Sequence, residues 1–157
     1  MTKRFRAREV ALQLLFQRDA NADVPRPIIR DFVRGRLRDD ASIKFCLSLY
    51  DGVLENIAAI DAKLTATAEN WRLPRMANVD RSVLRLGAYE LLFPTEDAPA
   101  AVALDEAIEL ARRYGSEDSP SFVNGILDKI NKSNLPQTIP EPSVEQSEIP
   151  TPPSEVV

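Results

Sequence analysis

Lys3, Arg4, Arg6 and Arg8 lie within six consecutive positions of the stretch KRFRARE, with Phe5 among them. Cations at this density beside an aromatic ring suit contact with a polyanion. Each side chain that neutralises a backbone phosphate releases a counterion, raising affinity at low salt without specifying sequence. Phe5 beside them could stack on an unpaired base. Arg4 and Arg8 are one helical turn apart and share a face, while Arg6 lies on the other side. A ligand using all of them must wrap the helix start or approach along its end, which a single strand does more readily than a stiff duplex. The placement is informative in another way, because the helix dipole disfavours exposed cations at an N-terminus by about 0.3–1 kcal/mol each. Pattern alone leaves a solvated helix start and a phosphate-contacting arm as two readings. In both, the cations stand outside the fold, so replacing Arg4, Arg6 and Arg8 with Ala is expected to leave thermal stability nearly unchanged.

The charge distribution fits a polyanion partner. Residues 1–38 hold ten Lys or Arg against four Asp or Glu, residues 39–134 hold ten against sixteen, and beyond Asn134 there are four Glu and no cation. The net charge of −4 therefore conceals a basic N-terminal third. With no His and a single Cys46, a His or Cys zinc site, a Ser-His-Asp triad and an intramolecular disulfide are all excluded. The five glycines, at 35, 52, 87, 115 and 125, are too scattered for a phosphate-cradling loop. Asp61, Asp80 and Glu90 form no carboxylate pair at a spacing that supports acid/base chemistry. Neither catalysis nor a metal or cofactor is expected. Cys46 shares a face with Ile43, Leu47, Tyr50 and Leu54 and is expected to be buried and inert. A reducing, cytoplasmic setting fits, and no apolar run approaches the ~18 residues of a membrane span.

The elements that must position these residues are helical. Apolar residues recur at three- and four-residue spacing and sustained alternation is missing, which predicts helices at 3–19, 27–38, 41–56, 57–69, 78–93, 99–114 and 119–132. Pro99 suits a first-turn proline, Gly115 a left-handed stop, and Ser119-Pro120 an N-cap followed by the first helical position. Residues 135–157 contain six of the twelve prolines and no aromatic, and read as a disordered acidic tail after a helical domain of residues 1–134. In the first helix, Ala7, Val10, Ala11, Leu14 and Leu15 make one apolar face. Phe5, Leu12 and Phe16 line up on the opposite side, as in a helix that is either central or covered by a partner. The 78–93 helix is also apolar on two sides and is expected to be central. Trp71 reads as a core plug between two halves. Gly125, interior to the last helix, is explained by a close helix contact as well as by a ligand. Asp118 is well placed before a helix N-terminus, where it can cap or accept from a base or a partner.

Four segments carry a family resemblance: RAREVALQLLF at 6–16, VDRSVLRLGAYELLF at 79–93, VALDEAIELARRYG at 102–115 and EDSPSFVNGILDKI at 117–130. Together they resemble the NusB family of bacterial transcription antitermination factors. The resemblance implies an all-α fold of about seven helices in two packed subdomains and no catalytic activity. It implies a heterodimer with the ribosomal protein NusE and recognition of single-stranded boxA RNA in ribosomal RNA operon transcripts, within an assembly that helps RNA polymerase read through terminators. By position, the RNA side comprises Arg4, Arg6, Arg8, Asp118 and Phe122, flanked by Lys3 and Phe5, and the NusE side comprises Phe16 and Asp80. Two alternatives stay open. One is a detached RNA-targeting module like those preceding ribosomal RNA cytosine methyltransferases, the other a helical adaptor whose basic arm binds an acidic protein surface.

Overall fold

The computed structural model describes residues 2–133, so the acidic tail expected at 135–157 lies outside the described residues. Seven α-helices follow one another: α1 (Lys3–Ala20), α2 (Arg26–Arg36), α3 (Asp40–Glu55), α4 (Ile57–Thr67), α5 (Asn78–Leu92), α6 (Ala100–Tyr114) and α7 (Ser119–Ser133). All seven expected helices are present, with ends within two residues of the expected ones; a short 3₁₀ turn at Leu73–Arg75 is an addition. Local chemistry sets the boundaries. The Phe5 N–H donates to Thr2 Oγ1 at 3.0 Å to open α1, and Asp39 caps α3 by accepting from the Ser42 N–H at 3.0 Å, satisfying donors that the first turn leaves free. Gly115 differs from expectation. It is extended at φ −92°, ψ −167°, and no described residue has positive φ. Its missing side chain serves a close approach instead, because a Cβ there would lie 2.4 Å from Ser119 Oγ. That hydroxyl accepts from the Ser116 N–H at 2.9 Å, and α7 already includes Ser119.

Helices α1, α2 and α3 pack together, α4, α6 and α7 gather around α5, and α5 also touches α1 and α3. One continuous apolar core results. The two-sided pattern of α5 reflects this central place, with Val83, Leu84, Leu86, Ala88 and Leu91 all buried. A Cβ at Gly87 would come within 2.6 Å of Leu127 and 3.1 Å of Ala107, so α6 and α7 both press on α5 there. Its two arginines are tied down. Arg85 forks onto Asp61 at 2.9 Å through both bonds, and Arg81 reaches Asp19 of α1 at 3.3 Å.

Cys46 is fully buried in α3, and burial pushes its thiol up to about 12. An unfolded thiol titrates near ~8.5. Between those values the unfolded chain binds fewer protons than the fold, so stability falls as pH rises from about 8.5 towards 12. Tyr50, Tyr89 and Tyr114, pushed up chiefly by burial, act in the same sense. Alkylation of Cys46 at pH 8 is therefore expected to follow global unfolding; rapid labelling of the native chain would contradict the burial.

Candidate nucleic-acid interface

The start of α1 presents its cations unequally. Lys3 and Arg4 are exposed and Arg6 half-buried. The Arg4 guanidinium lies 4.1 Å from the centroid of the Phe45 ring and 3.9 Å from the highly exposed Asp97, a contact that solvent leaves weak. Arg4, Lys44, Phe45, Phe93 and Asp97 line an open hollow of about 400 Å³, and Phe93 is exposed at its edge. Arg6 points to the other side of the helix, 3.9 Å from Glu9.

Arg8 overturns the reading of the arm as free cations. It is 2 % exposed, donates from Nε and Nη2 to the two carboxylate oxygens of Glu90 at 2.8 Å each, and stands 3.7 Å from Glu106. This bidentate fork locks α1 to α5 and leaves Arg8 no surface from which to touch a phosphate. Burial holds the Glu106 carboxyl above its usual range, with Arg8 opposing that shift. Phe5 is corrected too: it is 4 % exposed, covered by Arg113 at 4.6 Å, and cannot stack on a base. Leu12 is buried beside it. Of the charges at the start of α1, Arg8 and Glu9 go inside with the helix, in paired form. Glu9, 3 % exposed, accepts from the Tyr114 hydroxyl and lies 3.9 Å from Arg113.

The second group of expected residues sits at the start of α7, after α6 has ended at Tyr114. Asp118 is exposed, and its backbone carbonyl accepts from the Phe122 N–H at 3.1 Å. Phe122 is half-buried and meets Trp71 edge to face, with ring centroids 5.5 Å apart and planes at 74°. Trp71, expected in the core, is 57 % exposed. Its neighbours Ala68, Leu73 and Met76 are buried in the core instead, and the indole stays outside. Trp71 is thus a candidate functional residue that sequence reasoning missed. Its flanking Arg72 and Arg75, both exposed, were the available signal. Gly125 follows Phe122 by three residues on one side of α7, at helical spacing. A Cβ there would meet nothing within 4 Å, so no close helix contact accounts for it. Arg6 reaches towards this end of the fold: it and Arg113, near the end of α6, each lie 3.9 Å from Glu9.

Phe16 is 44 % exposed, the one member of the Phe5, Leu12, Phe16 stripe left outside. It lines an apolar groove of about 340 Å³ with Leu12, Phe32, Val79 and Tyr114. Gln13 Oε1 and Asp80 Oδ1 are buried atoms without a hydrogen-bond partner among the described residues. Gln13 lines the groove, and Asp80 follows Val79 in the first turn of α5. An apolar groove with an exposed aromatic ring at its edge is suited to burial by a partner chain.

No helix among the described residues is long and apolar enough to cross a membrane. Comparison with known proteins gives a consistent result. The chain is 47 % identical over 130 residues to the transcription antitermination protein NusB of Sorangium cellulosum, covering 83 % of this chain and 92 % of that one. It resembles a solved structure of T. maritima NusB with TM-score 0.75 and 40 % identity, over 86 % of this chain and 94 % of that one. It also resembles a chain in the crystal structure of the antitermination factors NusB and NusE in complex with dsRNA, with TM-score 0.74 and 25 % identity, over 85 % of this chain and 98 % of that one. The NusB family model matches residues 5–132, and with these relatives and this helical architecture the chain belongs to the NusB family.

Proposed function

We propose that the chain is a noncatalytic antitermination factor that binds single-stranded boxA RNA of ribosomal RNA operon transcripts as a heterodimer with NusE, within the assembly that carries RNA polymerase through terminators. The observation that carries this reading is the division of labour along α1. Exposed cations at its start, Lys3, Arg4 and the half-exposed Arg6, are followed by the exposed Phe16 over an apolar groove. The first group suits phosphate contact and the second a protein partner. The hollow beside Arg4, with Phe45 and Phe93, and the Trp71–Phe122 corner each offer aromatic surface of the kind on which unpaired bases stack. Phe5 and Arg8 have no part in the contact.

A salt series tests it. The full chain, with and without NusE, is titrated with a boxA-like RNA, and the variant Lys3→Ala/Arg4→Ala/Arg6→Ala is compared. Each lost contact to a single strand flattens the slope of log K against log salt by about 0.7, so a loss of about 2 is expected. Melting temperature should hardly move. Undetectable or salt-independent RNA binding in both states would overturn the RNA reading and favour a protein adaptor.

A further inference from the structure

The basic charge of the N-terminal third is not concentrated in the arm. Helix α2 and the residue pair after it carry Arg26, Arg30, Arg34, Arg36 and Arg38, and only Arg26 is paired, through a fork onto Asp51. Arg30, Arg34, Arg36 and Arg38 are exposed and make no ion pair among the described residues. The Arg36 guanidinium lies over the Phe32 ring, 3.7 Å from its centroid. The helix buries only Ile29 and Val33, Leu37 continues that stripe, Phe32 and Arg36 turn towards the groove beside Phe16, and Arg30, Arg34 and Arg38 are left exposed. Against four arginines it presents one acid, Asp31, exposed and unpaired.

Internal causes explain little of this. The helix dipole favours cations in a last turn, which suits Arg34 and Arg36 but neither Arg30 in mid-helix nor Arg38 past its end. Gly35 stands among them with nothing within 4 Å of a would-be Cβ. Alanine there would suit the helix better by about 1 kcal/mol, so the fold itself has no use for the glycine. Bare backbone between arginines does permit close approach by a ligand. Arg30 and Arg34 are one helical turn apart, about 6 Å along the axis, a step comparable to that between neighbouring phosphates of an extended strand, and Arg38 follows two residues past the end of α2, beyond the extended Leu37.

We infer that the outer face of α2 is a second RNA-backbone surface, separate from the arm, which holds transcript flanking the primary element through phosphate contacts by Arg30, Arg34 and Arg38. Among these residues only Ile28 is an exposed large apolar group. A protein partner would want an apolar centre, whereas sequence-independent backbone contact needs charge alone. The inference rests on RNA being the ligand of this chain, and the test separates the two.

The full chain in complex with NusE is titrated over a salt series with two RNAs: the boxA-like element alone, and the same element extended by flanking transcript. For Arg30→Ala/Arg34→Ala/Arg38→Ala, the slope of log K against log salt should fall by about 2 on the extended RNA, at about 0.7 per contact, and stay unchanged on the short one. Arg30→Lys/Arg34→Lys/Arg38→Lys should retain the wild-type slope, and unchanged melting curves exclude misfolding as the cause. An unchanged slope on the extended RNA overturns the proposal while the primary reading stands, and points to an acidic protein segment, such as the Glu-bearing residues 135–157, as the occupant of α2. Equal loss on both RNAs also overturns it, by merging α2 with the primary site. If the wild-type complex binds neither RNA, the RNA reading fails and takes this surface with it.

Discussion

Replacing Arg8 with Ala is expected to destabilise the fold by about 3–5 kcal/mol, the usual consequence of stranding one charge of a buried pair. For a chain of this size the melting temperature should fall on the order of 10 °C. The geometry leaves no alternative partner. Glu90, 4 % exposed, accepts from Arg8 at both carboxylate oxygens, and no other cation among the described residues is paired with it. Glu90→Ala should be similarly severe, since it leaves a guanidinium 3 % exposed with only Glu106 at 3.7 Å. Arg8→Lys should recover only part of the loss, because an ammonium cannot fork onto a carboxylate. The double variant Arg8→Met/Glu90→Leu should be much milder than either single one, because apolar groups of similar volume leave no charge to desolvate. Circular dichroism melts of the four variants check the series. A loss under about 1 kcal/mol for Arg8→Ala would sink the assignment. The contrast with the exposed cations is sharp: Lys3, Arg4 and Arg6 should affect RNA binding and not stability, Arg8 the reverse.

Phe16→Ala should weaken NusE binding by roughly 30-fold or more, the scale of about 2 kcal/mol found for aromatic anchors at interface centres. The ring is 44 % exposed over the groove it shares with Phe32 and Val79, so much of its surface is free to be buried by a partner, and truncation should cost the isolated fold little. Asp80→Ala tests the same face by charge. Its Oδ1 is buried without a hydrogen-bond partner among the described residues, the residue as a whole is half-buried, and a donor that NusE supplied to the carboxylate would be lost with it. Titration of NusE into each variant, followed by RNA binding at saturating NusE, separates the effects. Unchanged NusE affinity for Phe16→Ala would remove the groove from consideration.

Periodicity made the helices legible, because each buries a stripe fixed by 3.6 residues per turn. Buried charge was the principal failure. Arg8 and Glu9 look like surface residues to any rule that scores residues singly, and nothing local in KRFRARE separates Arg8 from Arg4. Their partners, Glu90 and Tyr114, lie 82 and 105 residues away. Phe5 failed for the same reason, since the Arg113 that covers it comes from α6. Trp71 failed in the opposite direction. An apolar ring before a central helix resembles a plug, until Leu73 and Met76 are seen to fill the core and the indole to rest on the edge of Phe122.

By itself the sequence determined an all-helical chain, the order and extent of its helices, and a basic N-terminal third in an acidic protein, since these follow from local spacing and composition. Its motifs also placed it beside the right family. Which cations remain available to a ligand was decided only by the tertiary structure. Burial and pairing depend on residues that are distant in sequence, and in KRFRARE they leave Lys3, Arg4 and Arg6 facing outward while Arg8 becomes a strut of the core.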